Sequence, residues 1–451
     1  MNTPTDCTII DGVKLLGQES TYRITLRDGL IDQLQAVAEL QSGKNSQLPS
    51  NAQIIDAQGL VAVPGMIDLY TRLREPGLTR KGTIASQSTA ALAAGFTKVL
   101  CAPDTLPTID TVATVELVQH RAAMANGAHV LPMAALTIGL HGEQLSELAT
   151  LQAAGCPVAG QADVPIQSTN VLNSAMEYAA SFNMPLFMTP RDAQLGVDGC
   201  AHTGAMATRL GLPGIPVAAE TVALARLLEL CRETGCRLHI SRLSSARAVQ
   251  MIDIAKQQAL PVTCDVGLHH LFFTDQNLEG YDSSFHSAVP FRSMADREAL
   301  RAGLTQGVID AICTDHAPHD RDASLAPFPA TEAGLSAYQW AIPLILQLPD
   351  LLQLSLGQVM EKLRDAPGRV LDGANPPGIE QGIPADFFLL SPDHRIEEDS
   401  VNASREYSNH PLNENSAASM GISPLKGRVD AAFTQGRMHT FIDLQASGSS
   451  G

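Results

Sequence analysis

Between about residue 60 and residue 345, short apolar runs alternate with amphipathic stretches. The apolar runs are 61–69 (VAVPGMIDL), 97–101 (TKVLC), 129–138 (HVLPMAALTI), 156–160 (CPVAG), 184–189 (MPLFMT), 236–242 (CRLHISR), 261–266 (PVTCDV) and 308–314 (VIDAICT). Among the intervening segments, 83–94 (TIASQSTAALAA), 218–233 (AAETVALARLLELCRE) and 245–259 (SARAVQMIDIAKQQA) repeat apolar residues at helical spacing. Continuously apolar strands separated by helices predict a parallel sheet covered on both faces. Eight such units predict an α/β chain built on a (β/α)8 TIM-type barrel, spanning 60–375.

The flanks follow a different period. Residues 7–59 contain short alternating segments (YRITLRDG, AQIIDAQG), and 385–442 contain more (ADFFLLSP, GRVDAAFTQGRMHTFI). Two β-rich ends around a barrel predict one small β-sandwich domain built from both termini, 1–59 and 376–446. The polar stretch 394–420 reads as a long loop, and 447–451 (SGSSG) as a flexible tail.

Composition narrows the function classes. Thirty basic against forty-seven acidic residues give a net charge of −17, spread along the chain. Such a surface repels polyanions, so nucleic acid and anionic membranes are excluded as expected partners. The opening MNTPTDCTIIDG has neither a basic nor an apolar leader region, and no apolar run approaches membrane-spanning length. The expected location is the cytoplasm. The eight cysteines form no CxxC pair, and Cys101, Cys156, Cys236, Cys264 and Cys313 lie in or beside apolar runs. They read as small buried hydrophobes, not as disulfides or metal ligands.

In a barrel of this kind the chemistry sits where the strands end. The ends carry Tyr70-Thr71-Arg72-Leu73-Arg74-Glu75, then Ala102-Pro103-Asp104-Thr105, then Thr189-Pro190-Arg191-Asp192 on the fifth strand. Arg242-Leu243-Ser244-Ser245, His269-His270 and Asp315-His316-Ala317-Pro318-His319 follow on the last three. At this point the segments VAVPGMIDLYTRLREPG, CAPDTLPTID, CDVGLHHLFFTD, VPFRSMADREAL and AICTDHAPHD become specific. In order and register they resemble the signature segments of the dihydroorotase branch of the amidohydrolase superfamily.

That resemblance implies one or two zinc ions. They are held by a His-x-His pair on the first strand, an acid or modified lysine on the fourth, a histidine each on the fifth and sixth, and an aspartate on the eighth. This chain departs at nearly every position. The first-strand histidines are Tyr70 and Arg72, the fifth-strand one is Thr189 and the sixth-strand one is Arg242. The fourth strand offers Gly160-Gln161-Ala162-Asp163, where only Asp163 could ligate, and Asp315 alone is retained. Arginine stays protonated and has no lone pair to give. Zinc wants three or four imidazole, thiolate or carboxylate donors. The expected cofactor is therefore none, and no metal-activated hydroxide is available as a nucleophile.

The substrate pocket implied by the resemblance, an arginine, two asparagines and a histidine, is eroded as well. Arg74 and His319 match, but the asparagine positions hold Asp104 and Ala288. Asp104 is expected to repel an anionic pyrimidine precursor. Each retained residue also has an ordinary structural reading. Arg74-Glu75 reads as an ion pair at the barrel mouth, and 315–319 as a structural turn with Asp315 paired to Arg72 or Arg242. His239 reads as a core histidine, His202 and His141 as loop residues. His269 and His270, adjacent on extended chain, point to opposite faces.

Two functions stay open on these grounds. LHISRLSSARAV, with arginine at the histidine position, looks like the inactive dihydroorotase homologues of some bacteria. The resemblance implies a non-catalytic subunit of aspartate transcarbamoylase, six such chains with six catalytic chains, serving pyrimidine biosynthesis. The alternative is a divergent amidohydrolase with an altered or metal-free site, in which Asp315 and His316 or His319 act as a general base pair. Arg74 also leaves some anion-binding capacity, the basis for a small-molecule sensor.

Overall fold

The computed structural model describes residues 7–42, 52–396, 409–412, 417, 422 and 425–441. Eight parallel strands form the barrel. They are Met66–Thr71, Phe96–Cys101, His129–Pro132 continued by Ala134–Ala135, Ala159–Gly160, Leu186–Met188, Leu238–Ile240, Val262–Gly267 and Ala311–Cys313. Each pairs in parallel with the next. The ring closes where Thr71 bridges His316 and Arg72 N donates to the His316 carbonyl at 2.8 Å. Asp68 braces the same seam, accepting from Thr314 N at 2.9 Å and Tyr338 Oη at 2.8 Å. Burial pushes its carboxyl up to about 6.

The helices begin where polar caps sit beside apolar stripes. Thr83 Oγ1 accepts from Ser86 N at 3.0 Å to open Ile84–Ala93, and Ser245 Oγ accepts from Ala248 N at 3.2 Å to open Ala246–Gln257. The long helix Val217–Thr234 ends on Gly235 at φ 64°, a left-handed cap that glycine supplies without strain.

The terminal strands come from both ends of the chain, as their alternation predicts. Cys7–Leu15, Thr21–Arg27, Leu30–Ala36, Gln53–Asp56, Val61–Pro64, Phe387–Arg395, Lys426–Thr434 and Arg437–Thr440 join in one sheet of eight strands. The apolar run 61–69 is thus two strands, not one. Val61–Pro64 pairs with Phe387–Leu390 in the terminal sheet, and the barrel begins after Gly65. A Cβ on Gly65 would stand 2.1 Å from Thr97 Oγ1 and 2.4 Å from Asp386 Oδ1, so only glycine lets the chain cross between the two layers.

The sheet curls until its ends meet, giving two facing layers around Ile10, Ile24, Ile31, Phe387 and Phe433. Leu30 bridges Pro384, and Gly29 lies against Gly436. Gly29 combines φ +77° with backbone 2.4 Å from where a Cβ would sit, whereas Gly59 has φ +81° and open space. We expect Gly29→Ala to lower stability by about 3 kcal/mol, strain plus clash, and Gly59→Ala by only about 1 kcal/mol, strain alone. Equal urea midpoints for the two variants would refute the close approach.

Most of the polar stretch 394–420 and all of 447–451 lie outside the described residues. The described part, 409–412, is packed against the barrel. Asn409 Nδ2 donates to the Gly334 carbonyl at 2.6 Å, and its Oδ1 accepts from His319 N at 3.0 Å. His410 Nε2 lies 2.8 Å from His269 Nε2, and its ring stacks on Trp340. This contact ties the C-terminal segment to the loop that follows the eighth strand. All eight cysteines are buried free thiols. Among the described residues no helix is long and apolar enough to cross a membrane.

Candidate functional site

Five charged side chains meet at the C-terminal ends of the barrel strands in an alternating chain. Asp104 Oδ2 accepts from Arg72 Nε at 2.7 Å, and Arg72 Nη2 donates to Asp163 Oδ2 at 2.5 Å. Asp163 Oδ1 accepts in turn from Arg242 Nη2, and Arg242 Nη1 donates to Asp315 Oδ1 at 2.7 Å. Thr189 Oγ1 accepts from Arg242 Nη2 at 2.6 Å. Tyr70 completes the group: its hydroxyl accepts from Arg72 Nη2 at 3.1 Å, and its ring lies 3.8 Å from Arg242 Cζ, a cation–π distance. The positions that resemble metal-ligand positions are thus gathered in one place, bonded to each other.

Burial makes these contacts strong. Arg242 is 1% exposed and Arg72 7%, so neither charge can be solvated and each must be neutralised locally. Burial alone would raise the Asp163 carboxyl, but the Arg242 and Arg72 guanidiniums more than offset it and hold it well below the usual range. Burial raises the Tyr70 phenol far above its ordinary value, so it stays a neutral hydroxyl. The backbone is bent to aim these groups. Arg74, Ala162, Arg242 and Asp315 all adopt left-handed φ between 51° and 67°, a conformation uncommon outside glycine that costs energy and concentrates at functional or once-functional sites.

A zinc ion does not fit this donor set. Two of the inward-pointing groups are guanidiniums, and Asp104, Asp163 and Asp315 each spend a carboxylate oxygen on one of them. Among the described residues no three His, Cys, Asp or Glu side chains are placed to share one metal ion. The mouth beside this cluster, lined by Thr189, Arg242 and Ala288, encloses about 30 Å³, roughly the space of one water.

Several expectations are corrected by this geometry. Arg74 and Glu75 do not pair. Arg74 Nε donates to the Pro318 carbonyl at 2.9 Å, while Glu75 Oε1 takes Arg121 at 2.7 Å and its Oε2 accepts from Ile84 N at 2.9 Å. Glu75 thereby serves the N-terminus of a helix, where a negative charge is favourable. Asp104 does not present a free charge to a ligand, because Arg72 takes it. His202 is no loop residue: it lies in the short strand Ala201–His202, is 8% exposed, and its Nδ1 stands 3.2 Å from Arg292 Nη1.

The other histidines sit where the sequence reading places them. His239 is in the core between Thr263 Oγ1 at 2.8 Å and Asp265 Oδ2 at 3.0 Å. His269 faces His410, whereas His270 Nε2 faces the Val289 carbonyl at 3.1 Å. Burial lowers their rings to about 3 and about 4 respectively, so both are neutral. His141 is exposed after a short turn.

Arg74 and His319 remain together, with His319 Nε2 3.0 Å from both Arg74 Nη2 and the Ala333 carbonyl. Burial, reinforced by nearby Arg72, lowers Arg74 to about 10, and burial with Arg74 lowers His319 to about 3. Among the described residues no carboxylate lies within 4.0 Å of Arg74. Sequence reasoning missed one buried network beside the sixth strand. Glu220 accepts from Ser244 N at 2.8 Å, Arg292 Nε donates to Ser244 Oγ at 2.7 Å, and Arg292 lies 3.6 Å from Glu220. Its one signal was a charged Glu220 at the start of an apolar helix.

Comparison with known proteins agrees with this architecture. Residues 59–248 match the dihydro-orotase-like family model. A dihydroorotase-like protein of Pseudomonas putida is 44% identical over 344 residues, covering 76% of this chain and 81% of that protein. A dihydroorotase of Syntrophotalea carbinolica is 36% identical over 390 residues, covering 86% of this chain and 89% of that enzyme. Among solved structures, an L-hydantoinase (dihydropyrimidinase) from Arthrobacter aurescens superposes with a TM-score of 0.78 over 97% of this chain and 98% of that one, at 19% identity. That last likeness shows the fold: an amidohydrolase barrel with a β-rich domain. With the sequence relatives covering most of its length, this chain belongs to the dihydroorotase-like family.

Proposed function

We propose that this chain is a catalytically inactive dihydroorotase-like protein that holds no zinc and serves as the non-catalytic subunit of aspartate transcarbamoylase. Its place is in pyrimidine biosynthesis in the cytoplasm, six copies joined to six catalytic chains. One observation carries the reading: the alternating chain Asp104–Arg72–Asp163–Arg242–Asp315 occupies the strand ends that would otherwise carry the chemistry. Without a Lewis acid or an activated water, hydrolysis of an unstrained amide is far too slow to be useful. A barrel that keeps all eight strands while filling its reaction centre with ion pairs is better suited to presenting a surface than to turning over a substrate.

Metal-free hydrolysis fits the geometry less well. Asp315 is engaged by Arg242, and His316 is tied at both nitrogens, to Gln87 Oε1 at 2.8 Å and Ala337 N at 2.9 Å. Neither can serve a substrate without breaking a buried contact. Arg74, lacking a carboxylate partner, favours a subsidiary role as a site for a small carboxylate.

Two measurements on the purified chain test the proposal. With zinc added, dihydroorotate hydrolysis should not exceed the uncatalysed background, and at micromolar concentration the chain should co-elute with the catalytic chain of aspartate transcarbamoylase. Clear turnover, or separate elution, would overturn it.

A further inference from the structure

Exposed large apolar side chains are unevenly spread over this molecule. Leu106 follows the second barrel strand, Ile138 the third, Val164 the fourth, Leu195 and Val197 the fifth, and Leu325 the eighth. Their exposures run from 39% for Leu195 to 79% for Leu325. All six stand on loops that leave the C-terminal ends of adjacent strands, so they form an arc around the mouth. The outer helix surfaces carry few equivalents, Met124 and Ile254 among them. Isolated exposed hydrophobes are ordinary, but a concentration of them on one face marks a contact surface.

The same arc is acidic. The loops after the third, fourth and fifth strands carry Glu143, Glu147, Asp192 and Asp198 with Arg191 as their one lysine or arginine. Among the described residues none of these four carboxylates has an ion-pair partner. Beneath them the mouth is closed by the guanidinium–carboxylate cluster, so the arc does not frame an open substrate channel.

From these two features we infer that the C-terminal face of the barrel is the docking surface for the partner, and that the partner meets it with apolar side chains set among lysines and arginines. This rests on the subunit reading above and adds to it which face is used and what chemistry it meets. A second copy of this chain is the poorer occupant. It would bring acidic loop against acidic loop, in a molecule already at −17, and like charges at a contact cost several kcal/mol. A basic partner gains from both terms. Apolar contacts supply affinity at the centre, and the carboxylates raise the association rate and make it salt-dependent.

The test measures the affinity of the whole chain for the catalytic chain of aspartate transcarbamoylase by sedimentation velocity at low and high salt. Val197→Ser should weaken binding about tenfold. The pair Glu143→Lys and Asp198→Lys should weaken it further and flatten its salt dependence, while Met124→Ser and Ile254→Ser should leave it unchanged. Circular dichroism and unfolding midpoints check that each variant is folded. If the unaltered chain binds and the arc variants bind equally well, the surface assignment is overturned while the subunit reading stands. Absence of binding by the unaltered chain overturns both. Self-association that Val197→Ser disperses would assign the arc to a second copy and overturn the inference.

Discussion

Replacing Arg242 by methionine should destabilise the fold by about 3–5 kcal/mol, the usual consequence of leaving a buried charge unpaired. Arg242 bonds Asp163, Asp315 and Thr189 from a fully buried position. Methionine approximates its length but neutralises neither carboxylate. Asp163 retains Arg72, so the larger cost falls on Asp315. The double variant Arg242→Met with Asp315→Asn should therefore recover part of the loss, and a double-mutant cycle isolates the coupling.

The pH dependence has a definite sign. In the native protein the Asp163 carboxyl is held below its unfolded value. Its contribution is therefore fully present above about pH 4, where the unfolded carboxyl is ionised, and is lost as pH falls further. In the Arg242→Met variant Asp315 becomes a buried carboxyl with no cation in contact, so protonation is favoured and acidification relieves its cost. The stability gap between the two proteins should narrow from pH 7.5 to pH 5. Urea midpoints at the two pH values give the comparison, and a gap below about 1 kcal/mol at pH 7.5 would show that the cluster is not the closed ion-pair chain described here.

The second large effect concerns metal. Elemental analysis of the native chain should find no stoichiometric zinc after mild chelation. The combination of Tyr70→His, Arg72→His, Thr189→His and Arg242→His removes both guanidiniums and supplies imidazoles beside Asp163 and Asp315. That variant should take up about one zinc per chain, and its unfolding midpoint should rise with added zinc because binding to the folded state alone is linked to stability. Dihydroorotate hydrolysis should nonetheless remain poor, since Asp104 and Ala288 still stand where the resemblance implies asparagines. About one zinc per native chain, retained through chelation, would sink the reading of the site.

Much of this architecture was legible in the order of residues, because the strands and helices follow from local periodicity. Continuous apolar runs such as TKVLC can satisfy themselves only as buried parallel strands, and Thr83 and Ser245 mark where helices must start. The loss of zinc ligands was legible for an equally local reason: arginine at 72 and 242 has no lone pair in any environment. What residue order left open was which charges meet. Asp315 could face Arg72 or Arg242, and Asp163 stood on the weakest strand, two residues long in Ala159–Gly160. Arg74 and Glu75, neighbours in sequence, part company to bond Pro318 and Arg121. The run 61–69 divides between two sheets because Gly65 passes where no side chain fits. These outcomes depend on barrel closure and on left-handed turns at Arg74, Arg242 and Asp315. Closure and those turns set, to within an ångström, where side chains from distant strands point, and an ion pair between groups 73 residues apart is decided at that scale.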